Sequence, residues 1–200
     1  DTLRGKYRLF NKKVIMTVAR LSERKGHDTV IRVLAKIKNI FPELVYLIVG
    51  TGPDEKRLRL LALELGVSEQ VVFCGKVTDE ELPAYYNLCD IHVMPNRQVQ
   101  GADTIEGFGL SFIEAGACAK PVIGGRSGGS GEAVLDRETG FLIEPLDTEA
   151  FAQMISFLLS DIEAAKRMGE AGRKRAVEHF QWKEQARILE NFFSHKDRDI

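Results

Sequence analysis

The sequence predicts an α/β fold: a doubly wound, mostly parallel, six-stranded Rossmann-like sheet with extra helices at the carboxyl end. Three observations predict it. Six short apolar runs, mostly β-branched and without polar alternation, recur along residues 14–143, as strands covered on both faces must. Amphipathic helical stretches lie between them, and that alternation means βαβ units. After residue 147 the strand signal stops and only helical periodicity continues.

In chain order the runs are Val14–Ala19, Val45–Val49, Val71–Phe73, Ile91–Met94, Pro121–Ile123 and Phe141–Ile143. Val30, Leu34, Ile37 and Phe41 share one helical face. So do Leu58, Leu61, Ala62 and Leu65, and again Phe151, Met154, Ile155 and Leu158. Thr78 with Glu81 makes a capping box for a helix near residues 79–88. The last helix, within 178–200, carries Trp182, Ala186, Leu189 and Phe193 on one stripe. One domain over residues 1–200 accounts for the whole chain, and a chain of that size buries about 70% of its unfolded surface.

Composition narrows the function. Lys and Arg number 28 against 29 Asp and Glu, a formal net charge of -1, which argues against a dedicated nucleic-acid binder. Cys74, Cys89 and Cys118 are an odd set without C-x-x-C, which suits neither a disulfide scaffold nor a zinc site and fits a reducing compartment. No apolar run approaches the roughly 18 residues of a membrane span. The start, DTLRGKYRLF, is polar, basic and without an initiator Met, so it is no signal peptide and the chain is expected to be a piece of a longer protein.

Ligands of doubly wound sheets bind at the carboxyl ends of the strands. Four loops leave those ends: Arg20–Gly26, Gly50–Pro53, Pro95–Gly109 and Gly124–Glu132. In the first, Arg20 and Lys25 are placed either to clamp a diphosphate without a metal or to be part of a solvated basic loop. In the second, Gly50 and Gly52 either let a ligand approach the backbone or make a turn; with Glu55 at the third glycine position, the dinucleotide fingerprint G-x-G-x-x-G is not met.

The third loop runs Glu106-Gly107-Phe108-Gly109-Leu110 and into Ser111-Phe112-Ile113-Glu114. A helix starting at the glycines offers free N–H groups and a positive dipole end to a phosphate. Glu106 and Glu114 then face one mouth, where they can accept from sugar hydroxyls. The plain alternative is a cap and a surface residue. The apolar neighbours Phe112, Ile113 and Ala115 favour function, because an unpaired buried carboxylate is costly. In the fourth loop, Gly125-Arg126-Ser127-Gly128-Gly129 matches the nucleophile elbow G-x-S-x-G, with Asp161 and His179 later in the right order. An α/β serine hydrolase is therefore the alternative chemistry; against it, one strand run follows and no HGGG-type segment precedes. His27, His92, His179 and His195 form no metal motif, Asp197-Arg198-Asp199 lies in a polar tail, and no Walker A sequence occurs.

Taken in order, these segments resemble the family 4 glycosyltransferases, specifically the carboxyl-terminal, donor-binding half of their GT-B fold. The matching residues are Val18-Ala19-Arg20-Leu21 with Lys25-Gly26; Ile48-Val49-Gly50-Thr51-Gly52-Pro53; Val72-Phe73-Cys74-Gly75; Glu106-Gly107-Phe108-Gly109-Leu110; Glu114-Ala115; Pro121-Val122-Ile123; and Gly128-Gly129 with Glu132. The resemblance covers residues 14–193. It implies that Arg20 and Lys25 are the diphosphate clamp, that Glu106 bonds donor-sugar hydroxyls, that the backbone of Gly107–Leu110 touches sugar and phosphate, and that Glu114 bonds the ribose. Transfer in this family retains anomeric configuration and needs no metal and no cofactor beyond the nucleotide diphosphate sugar. The stretch Met94–Glu106 resembles the phosphatidylinositol mannosyltransferase branch, which uses GDP-mannose; within Gly75–Asp79 the Val77 backbone and the Asp79 carboxylate are then placed to read guanine, the plain alternative being that Asp79 favours the amino end of the helix that follows.

Two positions depart from the family pattern. Ala119 stands where the family has Gly, and Ser130-Gly131 precedes Glu132 where a bulkier pair is common. The resemblance also implies an amino-terminal acceptor domain, missing here, against which the helix of residues 178–200 packs back. It implies a cytoplasmic protein, associating peripherally with the inner face of the membrane through its parent. A non-catalytic nucleotide-sugar binding module is the second expectation.

Overall fold

The computed structural model describes residues 2–99 and 107–181, with Lys183, Ala186, Arg187, Glu190 and Asn191 beyond them. Six strands form one sheet: β1 (Lys13–Val18), β2 (Leu44–Val49), β3 (Val71–Gly75), β4 (Ile91–Met94), β5 (Val122–Gly125) and β6 (Gly140–Ile143). Their order is β3-β2-β1-β4-β5-β6, and every pairing is parallel, so the sheet is wholly rather than mostly parallel. The helices are α1 (Thr2–Lys6), α2 (His27–Ile37), α3 (Glu55–Glu64), α4 (Leu82–Leu88), α5 (Leu110–Ala117), α6 (Ser130–Ala133), α7 (Thr148–Ser160) and α8 (Ile162–His179).

Side chains alternate across each strand, and both faces are covered. Ile15, Tyr46, Ile48, Ile91, Val93 and Ile123 meet α2, α3 and α7 on one side. Met16, Leu47, Met94, Val122 and Leu142 meet α4 and α5 on the other. That two-sided burial is why the strands read as continuous apolar runs. It removes most of the apolar side chains from water, each worth about 1.5–3 kcal/mol. The carboxyl half closes through α8, which crosses α5 where a Cβ on Gly116 would sit 3.2 Å from the Gly172 carbonyl oxygen.

Helix ends follow local chemistry. The Asp147 carboxylate accepts from the amides of Glu149 and Ala150 at 3.1 and 2.9 Å, and that of Asp161 from Ala164 at 2.8 Å, capping α7 and α8. The predicted capping box is half made: the Thr78 amide donates to Glu81 at 3.1 Å. The helix itself starts at Leu82, later than the predicted 79, with Pro83 in its first turn, where a missing N–H costs nothing. Ala119, the first departure from the family pattern, lies at φ 56°, the left-handed region that glycine occupies without strain.

The chain runs outward from β1 through β2 to β3, then crosses back to β4 beside β1. That reversal is a topological switch point, and a crevice opens there between diverging loops. The β1–α2 and β4–α5 loops flank it. Trp182, Leu189 and Phe193 of the expected terminal stripe, His195 and Asp197–Asp199 lie outside the described residues; Ala186 is helical and exposed.

Candidate functional site

The β1–α2 loop is laid down by backbone bonds before any ligand is considered. The Ala19 amide donates to the Val49 carbonyl at 3.0 Å, and the Leu21 amide to the Thr51 carbonyl at 3.0 Å; the Leu21 side chain is fully buried. This path crosses directly over Gly50 and Gly52. A Cβ on either would lie 2.1 Å from the Ala19 oxygen or 2.2 Å from the Leu21 oxygen, so the neighbouring loop is what requires glycine at both. Arg20 is left exposed and Lys25 half-buried, Lys25 closing a short 3-10 turn, Glu23–Lys25. Gly26 then caps α2 at φ 71°, its Cα against the Pro95 carbonyl, which brings the two crevice loops into contact.

A chain of buried polar groups runs beneath this loop. Thr17 Oγ1 donates to the Val93 carbonyl and lies 2.8 Å from the Tyr46 hydroxyl. That hydroxyl is 3.0 Å from His27 Nδ1, and His27 Nε2 is 3.4 Å from the Arg20 carbonyl oxygen. The imidazole ties the backbone of Arg20 to three strands. Burial pushes its pKa down to about 4, against the opposing pull of the Arg20 carbonyl, so it is neutral at pH 7.

Two adjacent residues at the head of the β4–α5 loop hold the other side. Asn96 is fully buried. Its Nδ2 donates to the Ser127 carbonyl at 3.1 Å and to Ser130 Oγ at 2.7 Å, and its Oδ1 accepts from the Gly125 amide at 3.2 Å. Ser130, at the second departure from the family pattern, is thereby accounted for: a fully buried hydroxyl that completes this clip. Arg97 makes a two-pronged pair with Asp28 at 2.9 and 3.0 Å, with Glu23 at 3.6 Å, while its amide donates to the Arg24 carbonyl at 2.8 Å. Burial pushes the Asp28 carboxyl upward, but the Arg97 hydrogen bonds and charge, with Arg57 behind, hold it below the usual range. Asn96 and Arg97 together fasten the β5–α6, β4–α5 and β1–α2 loops to one another.

These loops enclose a hollow of about 340 Å³ lined by Val18, Lys25, Gly107, Phe108, Gly109, Leu110 and Ser111. Lys25 therefore faces the amino end of α5. Gly109 caps that helix at φ 84°, and the first amides of a helix have no partner inside it. A cation opposite a helix N-terminus is a site for a polyanion. A larger hollow of about 690 Å³ adjoins it across Phe108 and Leu110, bounded by α5 and the end of α8. Among the described residues its lining holds Glu114 and Glu132 and no Lys or Arg, unlike the hollow that holds Lys25.

Glu106 lies outside the described residues. Glu114 lines the larger hollow rather than the smaller, and a ligand reaching both Lys25 and Glu114 would lie across the start of α5. The burial expected of Glu114 is not found: it is exposed, because Phe112, Ala115 and Gly116 turn inward and position 114 falls on the other side of the helix. It has a partner nonetheless, accepting from the Tyr86 hydroxyl at 2.6 Å. Val77 is half-buried and Asp79 exposed, both in the loop after β3, two strands from β1 and hence about 10 Å along the sheet. Tyr46, Tyr86, His27, Asn96 and Arg97 went unseen as site residues in the sequence. Among them only Asn96-Arg97, opening a long loop after a strand, gave a local signal.

The elbow at Gly125–Gly129 is a strand–turn–helix, but its helix is one turn long (Ser130–Ala133), and the Ser127 carbonyl is taken up by Asn96 and Ser130. Comparison with known proteins decides between the chemistries. The family model described as "Glycosyl transferases group 1" matches residues 1–175. This chain belongs to the group 1 glycosyl transferases. It is 39% identical over 189 residues to a GDP-mannose-dependent alpha-(1-6)-phosphatidylinositol monomannoside mannosyltransferase of Mycolicibacterium smegmatis, covering 94% of this chain and 50% of that one. It superposes on the Anabaena protein HepE, solved with UDP-glucose, at a TM-score of 0.84 and 26% identity, over 96% of this chain and 52% of that one. The crystallised C-terminal domain of a group 1 family protein from Francisella tularensis has the same fold, with a TM-score of 0.76, 23% identity and coverage of 90% and 93%. The fold is thus the carboxyl-terminal half of GT-B. The chain spans about half the length of the curated relatives it matches. Membership of this family sets the serine hydrolase aside.

Proposed function

We propose that this chain is the donor-binding half of a retaining, metal-independent hexosyltransferase that takes its sugar from a nucleotide diphosphate sugar, GDP-mannose first and a UDP-sugar second. The observation that carries the reading is Lys25 opposite the glycine-capped amino end of α5, at the switch point of a group 1 chain. In transfer the bond from the anomeric carbon to the diphosphate breaks, and its electron pair leaves on the diphosphate. Lys25 borders the α5 amides where that charge develops, and the exposed Arg20 of the same loop is the second cation of the proposed clamp; fixed charges aimed at a developing anion are a large catalytic term. Glu106 takes hydroxyls of the donor sugar, and the backbone of Gly107–Leu110 borders sugar and phosphate. Glu114 takes the ribose, and Gly50 and Gly52 shape the loop beneath.

Guanine is favoured on two grounds. The relative from Mycolicibacterium smegmatis is named as GDP-mannose-dependent. The exposed carboxylate of Asp79 can accept from the two N–H groups of guanine, with the Val77 backbone at the base edge. The acceptor site belongs to an amino-terminal domain of the parent. Positioning by that domain is worth about 7–11 kcal/mol of barrier, so the present chain binds donor without transferring sugar. Relatives named for phosphatidylinositol mannosides support a cytoplasmic parent working at the inner face of a membrane; no helix among the described residues is long and apolar enough to cross one.

Arg20→Ala and Lys25→Ala test the clamp by calorimetric titration. Each is expected to weaken GDP at least tenfold and to leave guanosine within twofold, in the presence of EDTA. Equal weakening of both ligands removes these residues from the diphosphate site.

A further inference from the structure

The carboxylate of Glu114 is exposed, yet it is not free to wander. It stands on the hydroxyl of Tyr86, 2.6 Å from Oε2, the length of a charge-assisted O–H···O⁻ bond. Tyr86 itself is 1% exposed. Its ring is held edge-on by His92 at 5.8 Å, and His92 in turn by Phe112 at 5.7 Å. Phe112 belongs to the same helix as Glu114, so the pedestal and the carboxylate are locked into one frame spanning α4, β4 and α5.

We propose that Tyr86 is a positioning residue for nucleotide recognition: its buried hydroxyl holds Glu114 in the rotamer that receives the two ribose hydroxyls. The proposal rests on the reading of Glu114 as the ribose carboxylate and adds what makes that carboxylate selective. An exposed glutamate on a helix samples several rotamers, and each must be frozen out when a diol binds. The tyrosine bond freezes it in advance. It occupies one lone pair of Oε2 and leaves the remaining acceptor sites of the carboxylate for the ligand.

The test is calorimetric titration of the 200-residue chain with GDP and with 2′,3′-dideoxy-GDP, the UDP pair being run alongside. The variants are Tyr86→Phe and Glu114→Ala. The unsubstituted chain is expected to bind GDP at least tenfold more tightly than the dideoxy form. Tyr86→Phe is expected to shrink that ratio to threefold or less while leaving the dideoxy affinity within twofold, a pattern that general loosening of the fold would not produce. A wild-type ratio in Tyr86→Phe, with the ratio lost in Glu114→Ala, overturns the positioning role and leaves the Glu114 reading standing. An undiminished ratio in Glu114→Ala overturns both. Should Tyr86→Phe fail to fold by circular dichroism, Glu114→Asp takes its place. It withdraws the carboxylate from the hydroxyl by one methylene with the tyrosine intact, and a wild-type ratio there counts against the proposal in the same way.

Discussion

Acid should destabilise this domain through two buried histidines well before its carboxylates titrate. Burial lowers His27 to about 4 and His92 to about 3, from an ordinary value near 6.5. Both folded values lie below the unfolded one, so between pH 6.5 and the folded pKa the unfolded chain binds more protons. Stability is therefore full above about pH 6.5 and falls as pH drops through that window. From pH 8 to pH 5 each histidine costs about 2 kcal/mol by that linkage, and the pair about 4 kcal/mol, a large part of the roughly 5–15 kcal/mol that holds a domain together. His92→Leu separates the two. The imidazole is wholly buried in β4 and neither ring nitrogen has a hydrogen-bond partner, so an apolar side chain of similar size should be neutral or stabilising at pH 8. Urea denaturation of both proteins at pH 8 and pH 5 is the assay. The wild-type loss should be about 4 kcal/mol and the His92→Leu loss about 2 kcal/mol. Equal pH dependence in the two proteins would refute the reasoning for His92, and a wild type equally stable at both values would refute it for the pair.

Two further substitutions follow from the loops. Arg97→Met leaves Asp28 mostly buried with Arg57 3.9 Å away as its remaining cation; a loss of about 3 kcal/mol is expected in urea, and a change below about 1 kcal/mol would show that the pair is not what fastens the loops. Ala119→Gly should stabilise by about 0.5–1 kcal/mol, because the relief of a left-handed alanine outweighs the added freedom of glycine in the unfolded chain; a lower urea midpoint would contradict this.

The strands were legible because each is buried on both faces, so the apolar run and the strand nearly coincide; Ile91–Met94 was read to the residue. Strand order was not legible, since nothing local states that β4 returns beside β1. Nor was α1, five residues without a buried side chain. The glycine-bounded start of α5 was readable from Glu106–Leu110, since Gly109 is where the cap falls. The burial of Glu114 was misjudged for a definite reason: Phe112 and Ala115 are its near neighbours in sequence, but the helix turns them inward and leaves position 114 outside. The groups that hold the site together act over long separations. Tyr86 meets Glu114 across 28 residues and Arg97 meets Asp28 across 69, and no spacing rule reaches that far.

On the proposed function, a nucleoside diphosphate sits between Lys25 and the amino end of α5. Titration of the ¹⁵N-labelled chain with GDP in EDTA, followed by amide chemical shifts, tests it most directly. The largest shifts are expected at residues 24–26 and 107–112, with the exposed face of α3 unmoved. Shifts gathered instead at Ala176–Gln181, with residues 24–26 unchanged, would place the ligand in the acidic, apolar hollow and contradict the claim.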